Sequence, residues 1–305
     1  MPPTCEPPTI TTIQGRAPGP TLAVLGGVHG NEYGGVLSAG RLQKLLAPSA
    51  FRGTVKIAAP AHPAAWQHDQ RVCPEDGLNL ARVFPGNPSG QPTEQVAAHL
   101  TAGLIAGADL LIDLHTAGAY GDMPLLVGYH ADGTSLAQRS AAAADAFSPS
   151  VTWEHPDLGP GRSLGAAEEL GVASIYVESS GSGRTRLDEM DRYHEGLQRV
   201  LHHLGMIDEA PAAESHPVVV RSPGDTDRGE QVRDGRVGAP ADGLFVLATA
   251  VADRVEQGQL LGELWDETGE VLAEIASPQR GVVMMLRTAT RVNELDTLAI
   301  VAEEV

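Results

Sequence analysis

The segment Gly26-Gly27-Val28-His29-Gly30-Asn31-Glu32 places an imidazole and a carboxylate three positions apart, directly after the apolar run TLAVLGGV. In an open α/β sheet, ligands collect beyond the carboxyl ends of the strands. A turn there can aim both side chains inward, and the surrounding glycines let backbone approach a site closely. Zinc binds histidine nitrogen and carboxylate oxygen, and catalytic zinc sites commonly use three protein ligands with one place left for water. As a bare pattern H-x-x-E is weak, because a surface histidine followed by a helix-starting glutamate looks the same. A third ligand should come from another strand end. His115 closes the run Asp109-Leu110-Leu111-Ile112-Asp113-Leu114-His115 and fits that place, although a buried histidine held by a hydrogen bond would read alike. Asp113 lies two residues back, on the same face of the strand. It suits an acceptor that orients a ligand imidazole, or equally a loop cap.

Water held at such a metal needs a base. Val172-Ala173-Ser174-Ile175-Tyr176-Val177-Glu178 is another apolar run ending in a carboxylate, followed by SSGSG. Glu178 near zinc could take a proton from water and pass it to a leaving nitrogen; an ordinary strand-end carboxylate is the plain alternative. Basic and amide groups gather in RVCPEDGLNLARVFPG, namely Arg71, Asn79 and Arg82. One guanidinium could stabilise a developing oxyanion, and another could hold a substrate carboxylate in a fork. Arg162, in GPGRSLGAAEELG, is a further candidate for that duty. The remaining histidines, His62, His68, His99, His130, His155, His194, His202, His203 and His216, show no comparable strand-end context.

The elements that must position these groups alternate. Strand-like runs cover 21–28, 54–59, 109–115, 124–129 and 173–178, and helix-like runs cover 33–46, 93–105, 135–147, 163–170 and 188–204. That alternation predicts an α/β domain over 1–206, with a largely parallel sheet flanked by helices. The Pro- and Gly-rich stretch 62–92 fits neither period and is long for a connection, as functional loops often are. After residue 206 the pattern becomes short β-like runs broken by Gly and Asp, predicting a small all-β module over 207–305. Its phrases VEQGQLLGEL, SPQRGVV and NELDTLAIV resemble the barrel-sandwich hybrid of lipoyl and biotinyl carriers. The module has no lysine, so the likeness implies shape and no swinging arm.

Composition narrows the function classes. Lys plus Arg is 21 and Asp plus Glu is 39, a net charge of −18 that disfavours nucleic acid and anionic membranes as partners. Basic groups in a pocket would oppose that field and so be informative. Only Lys44 and Lys56 are lysines, which leaves little room for Schiff-base chemistry. Cys5 and Cys73 form no framework of spacings and read as free thiols. No basic segment followed by an apolar run opens the chain, and no apolar stretch approaches ~20 residues, so a cytoplasmic protein is expected. Phosphate-loop, dinucleotide and G-x-S-x-G signatures are missing.

Taken together, GGVHGNEYGG, DGLNLARVFPG, DLHTAG and the Glu178 run resemble the succinylglutamate desuccinylase/aspartoacylase family of the zinc carboxypeptidase superfamily. The likeness spans nearly all of 1–206, and a β-rich C-terminal module suits it. It implies one zinc ion per chain on His29, Glu32 and His115, Glu178 as general base and Arg71 as carbonyl-polarising group. It puts Asn79 and Arg82 in the substrate loop, where Ala81 departs from the family's frequent Asn-Arg pair. The implied reaction is hydrolysis of a small N-acyl amino acid. NLARVFPG and the acidic composition suggest the N-acetyl diaminobutyrate deacetylase branch. Two other functions fit the same residues: a metallocarboxypeptidase acting on peptides, and a non-catalytic small-molecule binder on the same scaffold. A homo-oligomer is compatible with all three.

Overall fold

The computed structural model describes residues 5–213, 217–222 and 235–305; His216 lies outside the described residues. Strand β1 (Thr11–Gln14) leads to β2 (Thr21–Gly26), helix α1 (Tyr33–Leu45), β3 (Thr54–Ala58), the short α2 (Pro63–Gln67), α3 (Pro92–Leu100) and β4 (Leu110–Leu114). Then come β5 (Gly121–Asp122), β6 (Leu126–His130), α4 (Ser135–Phe147), β7 (Val151–His155), α5 (Ser163–Glu169), β8 (Ala173–Glu178) and α6 (Leu187–His203). Beyond them are β9 (Val218–Arg221), β10 (Arg236–Gly238), β11 (Gly243–Leu247), β12 (Arg254–Val255), β13 (Leu260–Trp265), β14 (Val271–Ala276), β15 (Gly281–Arg287), β16 (Arg291–Val292) and β17 (Thr297–Glu304).

The main sheet is mixed and largely parallel, in the order β1-β3-β2-β4-β8-β6-β7-β9. Its central strands are covered on both faces, which is why TLAVLG and LLIDL read as continuous apolar runs rather than alternating ones. Period two still sorts their side chains. Leu110, Ile112, Leu114, Ile175 and Val177 pack with Ala39 of α1, Phe147 of α4 and Leu197 of α6. Leu111 faces the opposite layer, where α3 and α5 contribute Val96 and Ala167. Asp113, Tyr176 and Glu178 share the Leu111 side. Helix α6 shows its cause plainly: Met190, Tyr193, Leu197, Val200 and Leu201 recur at helical spacing and are buried, with Asp188 and Glu189 in its first turn and His202 and His203 in its last.

The helix expected over 93–105 is shorter. α3 begins at Pro92 with a reciprocal Gln91–Glu94 capping box and passes into a wider π-type turn, Thr101–Ile105. Gly103 lies in that turn, and Lys56 Nζ donates to its carbonyl at 3.1 Å. Strands β1 and β7 were not anticipated. The β7 segment VTWEH is short and half polar, so neither period marks it.

In the C-terminal part, β14-β13-β11-β16 form a separate antiparallel sheet, while β17, β15 and β12 pair antiparallel and continue the main sheet beyond β9. Phe245, Leu264, Ile275 and Leu298 fill one of the cores there, in the sandwich arrangement the sequence suggested. The layer is not isolated from the main sheet. β9 pairs in parallel with β7 and antiparallel with β17, and β15 pairs with β5. Val282, Met284, Ile300 and Ala302 pack against Leu126, Val151 and Trp153.

Candidate active site

Strand ends bring His29, Glu32 and His115 together, with one potential ligand atom from each inside 4.8 Å of the others. His29 and Glu32 lie in the turn between β2 and α1. Gly27 there adopts φ +76°, a conformation that favours glycine. A Cβ at Gly30 would sit 2.0 Å from the Ala65 carbonyl carbon, so this glycine lets α2 approach the turn. All three side chains are buried.

The hydrogen-bond roles fix an unusual demand. His29 Nδ1 is 2.7 Å from Glu32 Oε1 while its Nε2 is 3.0 Å from Asn79 Oδ1. His115 Nδ1 is 2.8 Å from Glu32 Oε2 while its Nε2 is 3.1 Å from Asp113 Oδ1. Each ring therefore faces an acceptor at both nitrogens. Two neutral imidazoles supply two protons to four such positions. Burial opposes a charge on both rings. It holds His29 below its ordinary value despite the pull of Glu32. For His115 the burial effect is overcome by Asp113 and Glu32, which raise it well above the usual range. Burial likewise opposes ionisation of Glu32, but the two rings hold its carboxyl well below the carboxylate range.

Arg71 Nη1 donates to Glu32 Oε1 at 2.8 Å, and Tyr193 donates to the His115 carbonyl at 2.6 Å. Asp113 is fixed from the other side by the Ser163 hydroxyl at the start of α5. Glu178 closes the group from β8. Its Oε2 is buried with no hydrogen-bond partner among the described residues, and burial pushes its carboxyl up to about 8, against the opposing pull of His115.

These residues form one end of a cavity of about 520 Å³. Arg71, Arg82, Arg162 and Arg236 line it, a concentration of positive charge in a chain of net charge −18. Burial lowers Arg82 to about 10, with Arg162, Arg71 and Arg236 adding to the effect. Another part of the lining is a relay: Trp153 donates to Ser222 Oγ at 2.9 Å, Ser222 Oγ lies 3.1 Å from His155 Nδ1, and His155 Nε2 lies 2.7 Å from the Tyr176 hydroxyl. Burial, then the charge of Arg162, lowers His155 to about 3, so this ring is neutral at neutral pH.

A sequence profile described as the succinylglutamate desuccinylase/aspartoacylase catalytic domain matches residues 18–204. The chain belongs to this family. It is 28% identical over 298 residues to the N-alpha-acetyl-L-2,4-diaminobutyric acid deacetylase of Halomonas elongata, covering 96% of this chain and 85% of that one. Among solved structures, the product-bound ectoine utilization protein EutE (DoeB) of Ruegeria pomeroyi superposes with TM-score 0.89 at 26% identity, over 96% of this chain and 88% of that one. A succinylglutamate desuccinylase/aspartoacylase of Rhodobacter sphaeroides gives TM-score 0.86 at 29% identity, over 97% and 88%. This member of the desuccinylase/aspartoacylase family is an amidohydrolase of the N-acyl amino acid deacylase class.

Within the deacylase, the residues singled out in the sequence fall into two groups. His29, Glu32, His115, Glu178 and Arg71 meet at one end of the cavity, and Arg82 and Arg162 line its wall. Asn79, expected in substrate contact, turns its Oδ1 to His29 and to the Ala81 backbone N–H at 2.9 Å. It caps the short turn Leu80–Arg82, and Ala81 lines the cavity. His130 and His155 correct the reading of the other histidines, since they close β6 and β7. Tyr176, Trp153, Ser222, Arg236 and Ile300 also line the cavity and were missed. Tyr176 was readable, being two residues before Glu178 on one strand. Arg236 and Ile300 arrive from the C-terminal strands and carried no local signal. No helix among the described residues is long and apolar enough to cross a membrane.

Proposed function

We propose that His29 and His115, each through Nδ1, and Glu32 hold one zinc ion per chain, and that the chain hydrolyses the amide of a small N-acyl amino acid. The observation that carries this reading is the double acceptor at each imidazole. With His29 Nε2 protonated towards Asn79 and the His115 Nε2 proton on the side of Asp113, both Nδ1 lone pairs face the Glu32 carboxylate. A cation there supplies the positive charge that two neutral rings cannot give to all the acceptors around them, and the outer acceptors are the kind that orient ligand histidines. Bound there, zinc supplies Lewis acidity and makes water a nucleophile at neutral pH.

The protein's own residues supply the rest. Glu178, whose buried carboxyl a cation held beside it would keep ionised, accepts the proton of the attacking water and returns it to the departing amine. Arg71 donates to the oxygen of the carbonyl as negative charge develops. Arg82, Arg162 and Arg236 face the substrate carboxylate, and a cavity of about 520 Å³ suits a small acylated amino acid better than a peptide. The Halomonas relative favours an acetylated diaminobutyrate, for which Asp157 on the cavity wall offers a carboxylate to the side-chain ammonium.

The test is amine release from a panel of N-acyl amino acids by the intact chain and by Glu178→Gln. Turnover of Nα-acetyl diaminobutyrate should lead the panel. The variant should keep its zinc and bind substrate while turnover drops by roughly 10²–10⁴-fold. A variant that loses zinc but keeps normal turnover per metal would move the base elsewhere, and faster cleavage of peptides would favour a carboxypeptidase.

A further inference from the structure

A second group of metal-type ligands stands behind the substrate loop, in residues the deacylase reaction does not use. Cys5, from the N-terminal arm, meets His62 and Cys73, and one ligand atom from each lies within 4.8 Å of the others. Both thiols are free; Cys73 and His62 are fully buried and Cys5 is half-buried. Cys5 Sγ is 4.0 Å from His62 Nε2. Tetrahedral zinc, with bonds of about 2.3 Å to sulfur and about 2.0 Å to nitrogen, would set those atoms about 3.5 Å apart. A side-chain adjustment of roughly half an ångström closes the difference.

The surroundings suit a cation. Asp76 stands against Cys73 and acts electrostatically on Cys5 and His62. Its carboxylate accepts from Thr93 N, Thr93 Oγ1 and Leu78 N, which keeps it ionised. Glu75 holds the arm by accepting from the Cys5 backbone N–H at 2.9 Å. Burial lowers His62 to about 4, so its ring is a neutral ligand at neutral pH. Burial also pushes the Cys5 thiol up, the opposite of what a reactive nucleophile needs. Two thiols and an imidazole are the donors that select zinc over hard cations.

We propose that Cys5, His62 and Cys73 form a second, structural zinc site, with Asp76 or water at the fourth position. Binding releases the two thiol protons to water and moves the His62 ring proton to Nδ1. That gives up the bond from Ala65 N to Nδ1, now 3.2 Å, at the start of α2. One capping bond on a five-residue helix is small beside a metal–nitrogen bond. The site ties the arm to both ends of the segment that carries Arg71, so it braces the loop that faces substrate.

The full-length chain, stripped of metal and titrated with Co²⁺ under reducing conditions, tests this directly. A thiolate-to-cobalt charge-transfer band should grow in the near ultraviolet and saturate at about one equivalent for the sulfur site. It should vanish in Cys5→Ser and persist in His115→Ala. The group around His29 contains no sulfur, so failure of the catalytic zinc reading would leave this band untouched. Zinc analysis of Cys5→Ser should likewise show about one ion per chain fewer than the natural chain. Absence of the band in the natural chain, its survival in Cys5→Ser, or a Cys5–Cys73 disulfide in the protein as isolated under reducing conditions would overturn the proposal. Should Cys5→Ser fail to fold, the titration of the natural chain decides alone.

Discussion

At the histidine end of the cavity, His29, Glu32 and His115 come from a strand terminus or the turn beyond it and are buried from solvent, whereas Arg71 comes from the loop after α2 and is half exposed. At the arginine end, guanidiniums come from segments scattered from the substrate loop to β10, with Arg82 and Arg236 exposed, while Trp153 and Ser222 of the neighbouring relay are buried. The first end is crowded, with two rings competing for protons around one carboxylate. The second is roomy and held mainly by neutral hydrogen bonds. The difference separates two tasks: charge that must be exact in position is desolvated and buttressed, whereas recognition is assembled from adaptable side chains.

Breaking the first end should have the largest effect. His115→Ala removes a convergent ring nitrogen, and activity should fall by more than about 10³-fold with zinc content falling in parallel, beyond the 10–100-fold typical of losing an outer partner. Metal analysis beside initial rates checks both. Arg71 stands at the junction of the two ends. Arg71→Ala should slow turnover by about 10²–10³-fold, the loss typical of one oxyanion donor, with most of it in kcat. A change confined to KM would assign Arg71 to the recognition end instead.

Acid should probe the relay. The native state keeps His155 neutral down to about pH 3, whereas the unfolded chain protonates it near 6.5. Between those values the folded protein binds fewer protons, so stability rises with pH and is lost on acidification below about 6.5. After allowance for water in the cavity, the loss from this group should approach about 2 kcal/mol by pH 4. Thermal melts of the natural chain and His155→Gln across that range should converge as pH falls; parallel curves would show the ring contributes nothing. The smallest effect belongs to the recognition end. Arg236→Ala should raise KM by about 10-fold with kcat nearly unchanged, the mark of binding shared by ground and transition states.

The legibility of the two ends in sequence follows the same division. His29 and Glu32 share one turn, and His115 and Glu178 each close an unbroken apolar run, so short motifs announced them. Central strands covered on both faces gave equally clear runs. Asn79 stood out within its loop, but its hydrogen bond to His29 depends on the Leu80–Arg82 turn, which the sequence does not advertise. Arg236, Ser222 and Ile300 reach the cavity only because strands distant in sequence pair, and no local period encodes that pairing. The meeting of Cys5 and Cys73 was hidden for the same reason.

The pairing of β9 with both β7 and β17 has a consequence for solubility. A chain ended at residue 206 would lose β9 and every strand after it, leaving the backbone of β7 unpaired along one side. Val151, Trp153 and Leu126, now under Val282, Met284 and Ile300, would lie bare on the adjoining face. An unprotected edge beside an apolar surface is a template for other chains. The C-terminal strands thus act as an end-stop for the sheet, and a fragment without them should self-associate rather than survive as a smaller enzyme.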